Sequence, residues 1–250
     1  MRAFFIGLQF LTRIRLVRQT EWTMQDFGRS VKYFPLVGLV LGAIYGLLAY
    51  GLLVLLPARG LVIPPHIAAV FFLALPILMT GGLHCDGFMD TMDGVFSGRS
   101  RERMLEIMKD SRVGATGVTA FVLLLLFQGA VLLDFSSPWR LIEALFLMPV
   151  LARLMMSFVI IFFPYARPEG MGKAFAEYAN HRSFVVALIF ALCVAAPWGS
   201  YAFLAMGISF LFTIFFARYI TRILGGLTGD VYGAVTTLNE CLVLLVFLFV

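Results

Sequence analysis

Seven long runs almost free of charge organise this sequence, at roughly 33–56, 64–81, 113–133, 141–163, 183–198, 201–220 and 231–250. A helix rising about 1.5 Å per residue needs about 20 apolar residues to cross a hydrocarbon core. In lipid, only helices and closed barrels satisfy every backbone N–H and C=O. The runs therefore predict an all-α fold, a polytopic integral membrane helix bundle of about seven transmembrane helices. The fifth run is short, and Pro197-Trp198-Gly199-Ser200 separates it from the sixth. Composition excludes the soluble alternative. With 61% hydrophobic residues, 13% charged residues and 26 Phe, the chain would expose large adhesive patches in water, where domains carry about 25% charged residues. Cys85, Cys193 and Cys241 show no spacing that implies a disulfide framework or a zinc site.

Residues 1–30 read as an N-terminal amphipathic arm. The apolar stretch from Ala3 to Leu11 is short, lacks a small-residue cleavage site and runs into Arg13, Arg15 and Arg18, so an interfacial helix is expected rather than a cleaved signal. Phe4, Leu8 and Leu11 share a face by i, i+4, i+7 spacing, which suits a membrane surface or packing on the bundle. Of the 19 Lys and Arg, 16 fall on one side of the runs; Arg59 and Arg140 fall on the other, and Arg153 lies inside the fourth run. The positive-inside rule then places the N-terminus and loops 82–112, 164–182 and 221–230 in the cytoplasm and the C-terminus outside. Orientation thus explains the net charge of +5, and the partner it implies is the lipid bilayer, not nucleic acid. Without a long linker, low-complexity segment or repeat, residues 1–250 read as one domain.

Chemistry concentrates in an Asp-rich loop, residues 82–112. It opens Gly81-Gly82-Leu83-His84-Cys85-Asp86-Gly87 and continues to Asp90, Asp93 and Gly94. If 86–93 is helical, Asp86, Asp90 and Asp93 stack on one face, where they repel unless a cation sits among them. Oxygen ligands completed by water and substrate phosphates suit Mg²⁺, and Gly87 lets a backbone or a diphosphate approach. The bland alternative is a solvated helix end. Ser100 is positioned to N-cap a short amphipathic cytoplasmic helix over 101–110, which closes on Lys109, Asp110 and Arg112. Basic groups there suit a phosphate-bearing substrate, or else simple anchoring.

A second polar cluster, Gly225 to Asp230 and then Glu240, falls on the same side by charge counting. Glu240 and Arg153 are costly inside apolar runs and are each other's natural partners, unless a metal shell or substrate engages them.

Several stretches together carry a family resemblance: Thr80 to Gly94, Leu105 to Gly114, Phe10-Leu11-Thr12-Arg13, Tyr33 to Gly38, Ala166-Arg167 with Gly170 and Gly172, and Gly225 to Ala234 with Glu240. Over nearly the whole chain they resemble the cobalamin synthase (adenosylcobinamide-GDP ribazoletransferase) family. The resemblance implies an enzyme that joins adenosylcobinamide-GDP to α-ribazole or its 5′-phosphate and releases GMP, completing cobalamin. Mg²⁺ would be its cofactor, held by Asp86, Asp90 and Asp93. Lys109 and Arg112 would face phosphate oxygens. Gly81, Gly82, Gly87, Asp230 and Glu240 would contribute to binding, and Asp110, His84 or Asp230 would take the hydroxyl proton. A bacterial or archaeal cytoplasmic membrane is the implied location, and association with other cobalamin assembly enzymes is an implied partnership. A phosphotransferase of CDP-alcohol type is the runner-up, although its Ala-Arg element is absent after the first aspartate pair. A transporter would need ionisable residues midway along several spans.

Overall fold

The computed structural model describes residues 2–17 and 22–250, so Arg18 lies outside the described residues. Within them run twelve α-helices: α1 Arg2–Leu11, α2 Met24–Ser30, α3 Phe34–Tyr50, α4 Pro65–Thr80, α5 Leu83–Val95, α6 Arg101–Ile107, α7 Ala115–Leu133, α8 Pro138–Phe162, α9 Met171–Tyr178, α10 His181–Ala195, α11 Gly199–Leu224 and α12 Gly229–Phe249. The described residues form no strand, only an isolated bridge between Tyr165 and Leu227. The all-α membrane architecture expected from the sequence is therefore the one observed, and each apolar run coincides with one helix.

Five segments are long and apolar enough to cross a membrane: Met24–Arg59, Ala115–Leu133, Pro138–Phe162, His181–Leu224 and Gly229–Phe249. The pair α4–α5 passes the same test only when joined across a bend of 94°. His181–Leu224 would extend about 66 Å if straight. It does not, because the rings of Phe184 and Phe210 lie 6.3 Å apart. α10 and α11 fold back on each other around Gly199, whose φ of 67° turns the chain. α4 and α10, with 16 and 15 residues, reach only about 24 and 22 Å, short of the roughly 30 Å hydrocarbon thickness.

The core is built on α8 and α12, each 78% buried over its most apolar stretch, whereas α7 is 17% buried and turns its Val and Leu side chains outward. α3 packs on α8 through Gly38, Gly42 and Gly46, spaced four apart along one face. A Cβ on Gly38 would stand 2.7 Å from the Val150 Cα, and one on Gly42 would overlap the Phe146 carbonyl oxygen. Small residues at this spacing let two membrane helices approach until their backbones touch.

α1, α2, α5, α6 and α9 gather at one end of the bundle, the end where α12 begins. At the other end Tyr50 lies 5.8 Å from Trp139 and the Arg140 guanidinium lies 4.2 Å over Tyr201. Amphipathic rings of this kind collect at a membrane–water boundary. Of the two roles open to the stripe of α1, packing on the bundle is the one seen: Ile6, Leu8 and Leu11 are buried by protein, and Phe4 packs edge-on to Tyr33. The helices expected within segment 82–112 are present as α5 and α6.

α12 starts at the end that carries α1 and finishes at the other. A reporter fused after Val250 is expected to read as exterior and one within residues 95–100 as cytoplasmic. Both reading the same side would overturn this arrangement.

Candidate functional site

Two consecutive glycines shape the site. The N–H of Gly81 donates to Leu78 O at 3.2 Å and that of Gly82 to Ile77 O at 2.9 Å, closing α4 in a Schellman turn that requires left-handed backbone. Gly81 and Gly82 supply it, with φ of 65° and 78°. The chain leaves through the 94° bend, so α5 lies across the end of the bundle, outside the crossing direction.

α5 meets the start of α12 at two more glycines. A Cβ on Gly87 would sit 2.7 Å from the Asp230 carbonyl oxygen, and one on Gly233 would sit 3.3 Å from the His84 Cα. Thr228 N-caps α12, accepting from the Val231 N–H at 3.3 Å, and its hydroxyl donates to Asp230 Oδ2 at 3.1 Å. The connection after α8 is stitched to the same place. The Ala166 N–H donates to Leu227 O and the Leu227 N–H to Pro164 O, both at 2.8 Å. A side chain at Gly226 would block this pairing, its Cβ falling 2.7 Å from Pro164 O. Arg167 is thereby held against Asp230, with Nη2 and Oδ2 2.8 Å apart.

These elements enclose a cavity of about 230 Å³. Asp86, His84, Asp230 and Arg167 form its polar wall, and Phe10, Phe34, Met156, Ile160 and Phe175 its apolar wall. His84 is buried, and neither ring nitrogen has a hydrogen-bond partner. Asp90 stands one turn beyond Asp86. Burial, then the carboxylates of Asp86, Asp230 and Asp93, push its carboxyl up to about 7, with Arg167 acting the other way. Asp86, Asp90, Asp93 and Asp230 thus bring four carboxylates into one neighbourhood with the Arg167 guanidinium.

The sequence-predicted residues divide. Asp86, Asp230, His84 and Gly87 line the cavity, and Gly81 and Gly82 line a neighbouring groove. Asp93 is committed elsewhere. Its Oδ2 accepts the Gly114 N–H and its Oδ1 the Gly117 N–H, both at 2.7 Å, satisfying the first turn of α7, which has no side-chain cap of its own. Among the described residues no three His, Cys, Asp or Glu are grouped to hold a metal ion, so the expected trio of Asp86, Asp90 and Asp93 is not gathered as one ligand set. Lys109, Asp110 and Arg112 do not reach the cavity. Arg112 is 88% exposed and pairs with Asp110 at 2.7 Å, which holds that carboxyl down to about 2 and removes it as a base near neutral pH. Arg101 is a cap rather than a phosphate ligand, its Nε donating to Leu224 O at 2.7 Å, where α11 ends.

Glu240 is also corrected. It lies eleven residues along α12 from Gly229, about 16 Å from that end, and its carboxylate pairs with the fully buried Arg153 of α8 rather than facing the cavity. Arg167 was read from the sequence only for orientation and resemblance and Phe34 only for resemblance, and Met156, Ile160 and Phe175 were not singled out at all. The nearest signal was Ala166-Arg167 followed by Gly170 and Gly172, where a Cβ on Gly172 would fall 2.8 Å from the Tyr165 ring.

A multi-pass helical bundle with a carboxylate- and guanidinium-walled cavity at one end defines a membrane protein of enzyme character. The family model for cobalamin-5-phosphate synthase matches residues 3–248, and the chain belongs to that family. It is similar to the adenosylcobinamide-GDP ribazoletransferases of Desulfitobacterium hafniense (strain Y51), 42% identical over 98% of this chain and 96% of the relative, and of Brevibacillus brevis, 39% identical over 98% and 97%. The enzyme of that name from Clostridium acetobutylicum is 37% identical over 96% and 92%. No solved structure matches the chain.

Removing one member of a buried ion pair leaves the other charge uncompensated. Glu240→Gln should cost about 3–5 kcal/mol of stability, read as a lower melting temperature in detergent. Arg153→Met with Glu240→Leu should recover most of it. An unchanged melting temperature for Glu240→Gln would show that the pair contributes nothing.

Proposed function

We propose that this chain is an adenosylcobinamide-GDP ribazoletransferase, the activity for which its relatives are named, working from the cytoplasmic face of a bacterial or archaeal inner membrane. Likeness to those relatives along nearly its entire length carries the reading. In the reaction, a ribose hydroxyl of α-ribazole or its 5′-phosphate attacks the cobinamide-side phosphorus of adenosylcobinamide-GDP. A phosphorus–oxygen bond forms to the ribose, the one to GMP breaks, and the hydroxyl proton passes to a base.

The cavity suits such a transfer. Its aromatic and Met wall accepts a flat base, and its polar wall brings acidic and basic groups to one side. Mg²⁺, held by Asp86 and Asp90, would supply neutralisation of the diphosphate and of the departing GMP. Arg167 holds Asp230 in place. Of the three candidate bases, His84 and Asp230 face the cavity, and His84 has both ring nitrogens uncommitted.

Purified protein supplied with Mg²⁺, adenosylcobinamide-GDP and α-ribazole should release GMP. Asp90→Asn should lower that rate by more than about 100-fold, the scale of a lost metal ligand, while membrane insertion stays intact. Near-normal turnover for both Asp86→Asn and Asp90→Asn would defeat the metal assignment, and absence of GMP release by the unmodified protein would defeat the function.

A further inference from the structure

A second cavity of about 650 Å³ adjoins the first along α5, and Phe10, Leu83 and Asp86 belong to the walls of both. Its remaining wall includes Arg13, Arg15, Gly81 and Gly82. Arg13 is fixed there: its N–H donates to Met79 O at 2.8 Å, and its guanidinium packs on Gly81, where a Cβ would come within 2.5 Å of Cζ. Neither Arg13 nor Arg15 forms an ion pair with a described residue. Two unneutralised guanidiniums in a roomy groove are a receptor for phosphate oxygens. The first turn of α5, uncapped by any side chain, adds N–H groups of the same polarity.

The two cavities differ as two substrates would. The smaller is enclosed and walled by Phe10, Phe34 and Phe175; it is the right size for an aromatic nucleoside and too small for a corrinoid nucleotide. The larger is more open and cationic, and it falls within the roughly 300–1,000 Å³ usual for ligand sites. The two meet along Phe10, Leu83 and Asp86, and Asp86 is the charged residue they share, where the transferred phosphorus would lie.

Resting on the proposed function, we infer that the substrates enter by separate cavities: α-ribazole occupies the aromatic one, and the diphosphate of the corrinoid nucleotide lies in the groove, gripped by Arg13 and Arg15. The same guanidiniums would also attract anionic lipid head groups, so the test separates the two phosphate sources. GMP release is measured in nanodiscs of purely zwitterionic phosphatidylcholine and in discs containing anionic phosphatidylglycerol, with each substrate varied in turn. Arg13→Ala and Arg15→Ala should each raise KM for adenosylcobinamide-GDP about tenfold or more, in both lipids, with KM for α-ribazole within about twofold of the unmodified protein. Arg13→Lys, a point charge without the fork, should recover part of the loss. Met171→Ala, an exposed rim residue of the aromatic cavity, should show the opposite split, raising KM for α-ribazole alone. If Arg13→Ala does not fold, Arg15→Ala on the exposed arm decides. An unchanged corrinoid KM, a defect confined to anionic discs, or a rise in the α-ribazole KM instead would overturn the inference. Because the unmodified protein still releases GMP in each of those outcomes, they leave the proposed reaction standing.

Discussion

Backbone contact between α5 and α12 holds the site together. Gly87 on one and Gly233 on the other let the two backbones touch where the helices cross, so the first turn of α12 lies directly against α5 beside Asp86. Larger residues at either position would push Asp230 and Asp86 apart by the width of a side chain. α12 is in turn seated on α8, and α8 on the glycine stripe of α3. In a membrane, where burying apolar surface among lipid tails drives little association, close backbone packing of this kind sets which helices are neighbours. The site therefore inherits its geometry from small residues that have no chemistry of their own.

That dependence explains what could be read from sequence. Long apolar runs announce helices by length alone, so α7, α8, α11 and α12 were legible, and the charge pattern put both polar clusters at one end. Asp86 and Asp230 were legible as members of one site for the same reason. Asp93 was not separable from its neighbours, because i, i+4, i+7 spacing says which face a carboxylate shares and nothing about which distant N–H groups approach it. The signal was present in α7, which opens at Gly114 with no Ser, Thr, Asp or Asn cap, so its free N–H groups had to find an acceptor elsewhere. Arg167 was hidden differently. Its position depends on the two hydrogen bonds between 164–166 and Leu227, a pairing across some sixty residues that no local pattern encodes.

Glu240 shows how the cost of a buried charge can be met in two ways. A carboxylate three turns down a membrane helix needs a partner, and from sequence either a metal shell or an arginine would serve. The structure gives it Arg153, and the pair ties α12 to α8 just below the cavity. Among the described residues it is a lone pair of charges at that depth rather than one of a series across the bundle, unlike the chains of ionisable groups that line transport paths. Its place beneath the polar wall makes it part of the floor on which α12 rests.

Charge balance links the two cavities to one chemistry. Asp86, Asp90 and Asp230 bring three carboxylates to the crossing of α5 and α12, and Arg167 offsets one of them; Asp93 is satisfied by the start of α7. Net negative charge is left at the point where a diphosphate, itself anionic, must approach. Repulsion there would exclude the substrate unless positive charge arrived from both sides. In the proposed reaction a divalent cation held by Asp86 and Asp90 would supply it from within, and Arg13 and Arg15, which have no ion-pair partner among the described residues, would supply it from the groove. Neither alone suffices: arginines without a cation would leave the carboxylates facing the phosphorus, and a cation without the arginines would leave the outer phosphate unheld. Because Asp86 lines both cavities, one helix can serve both.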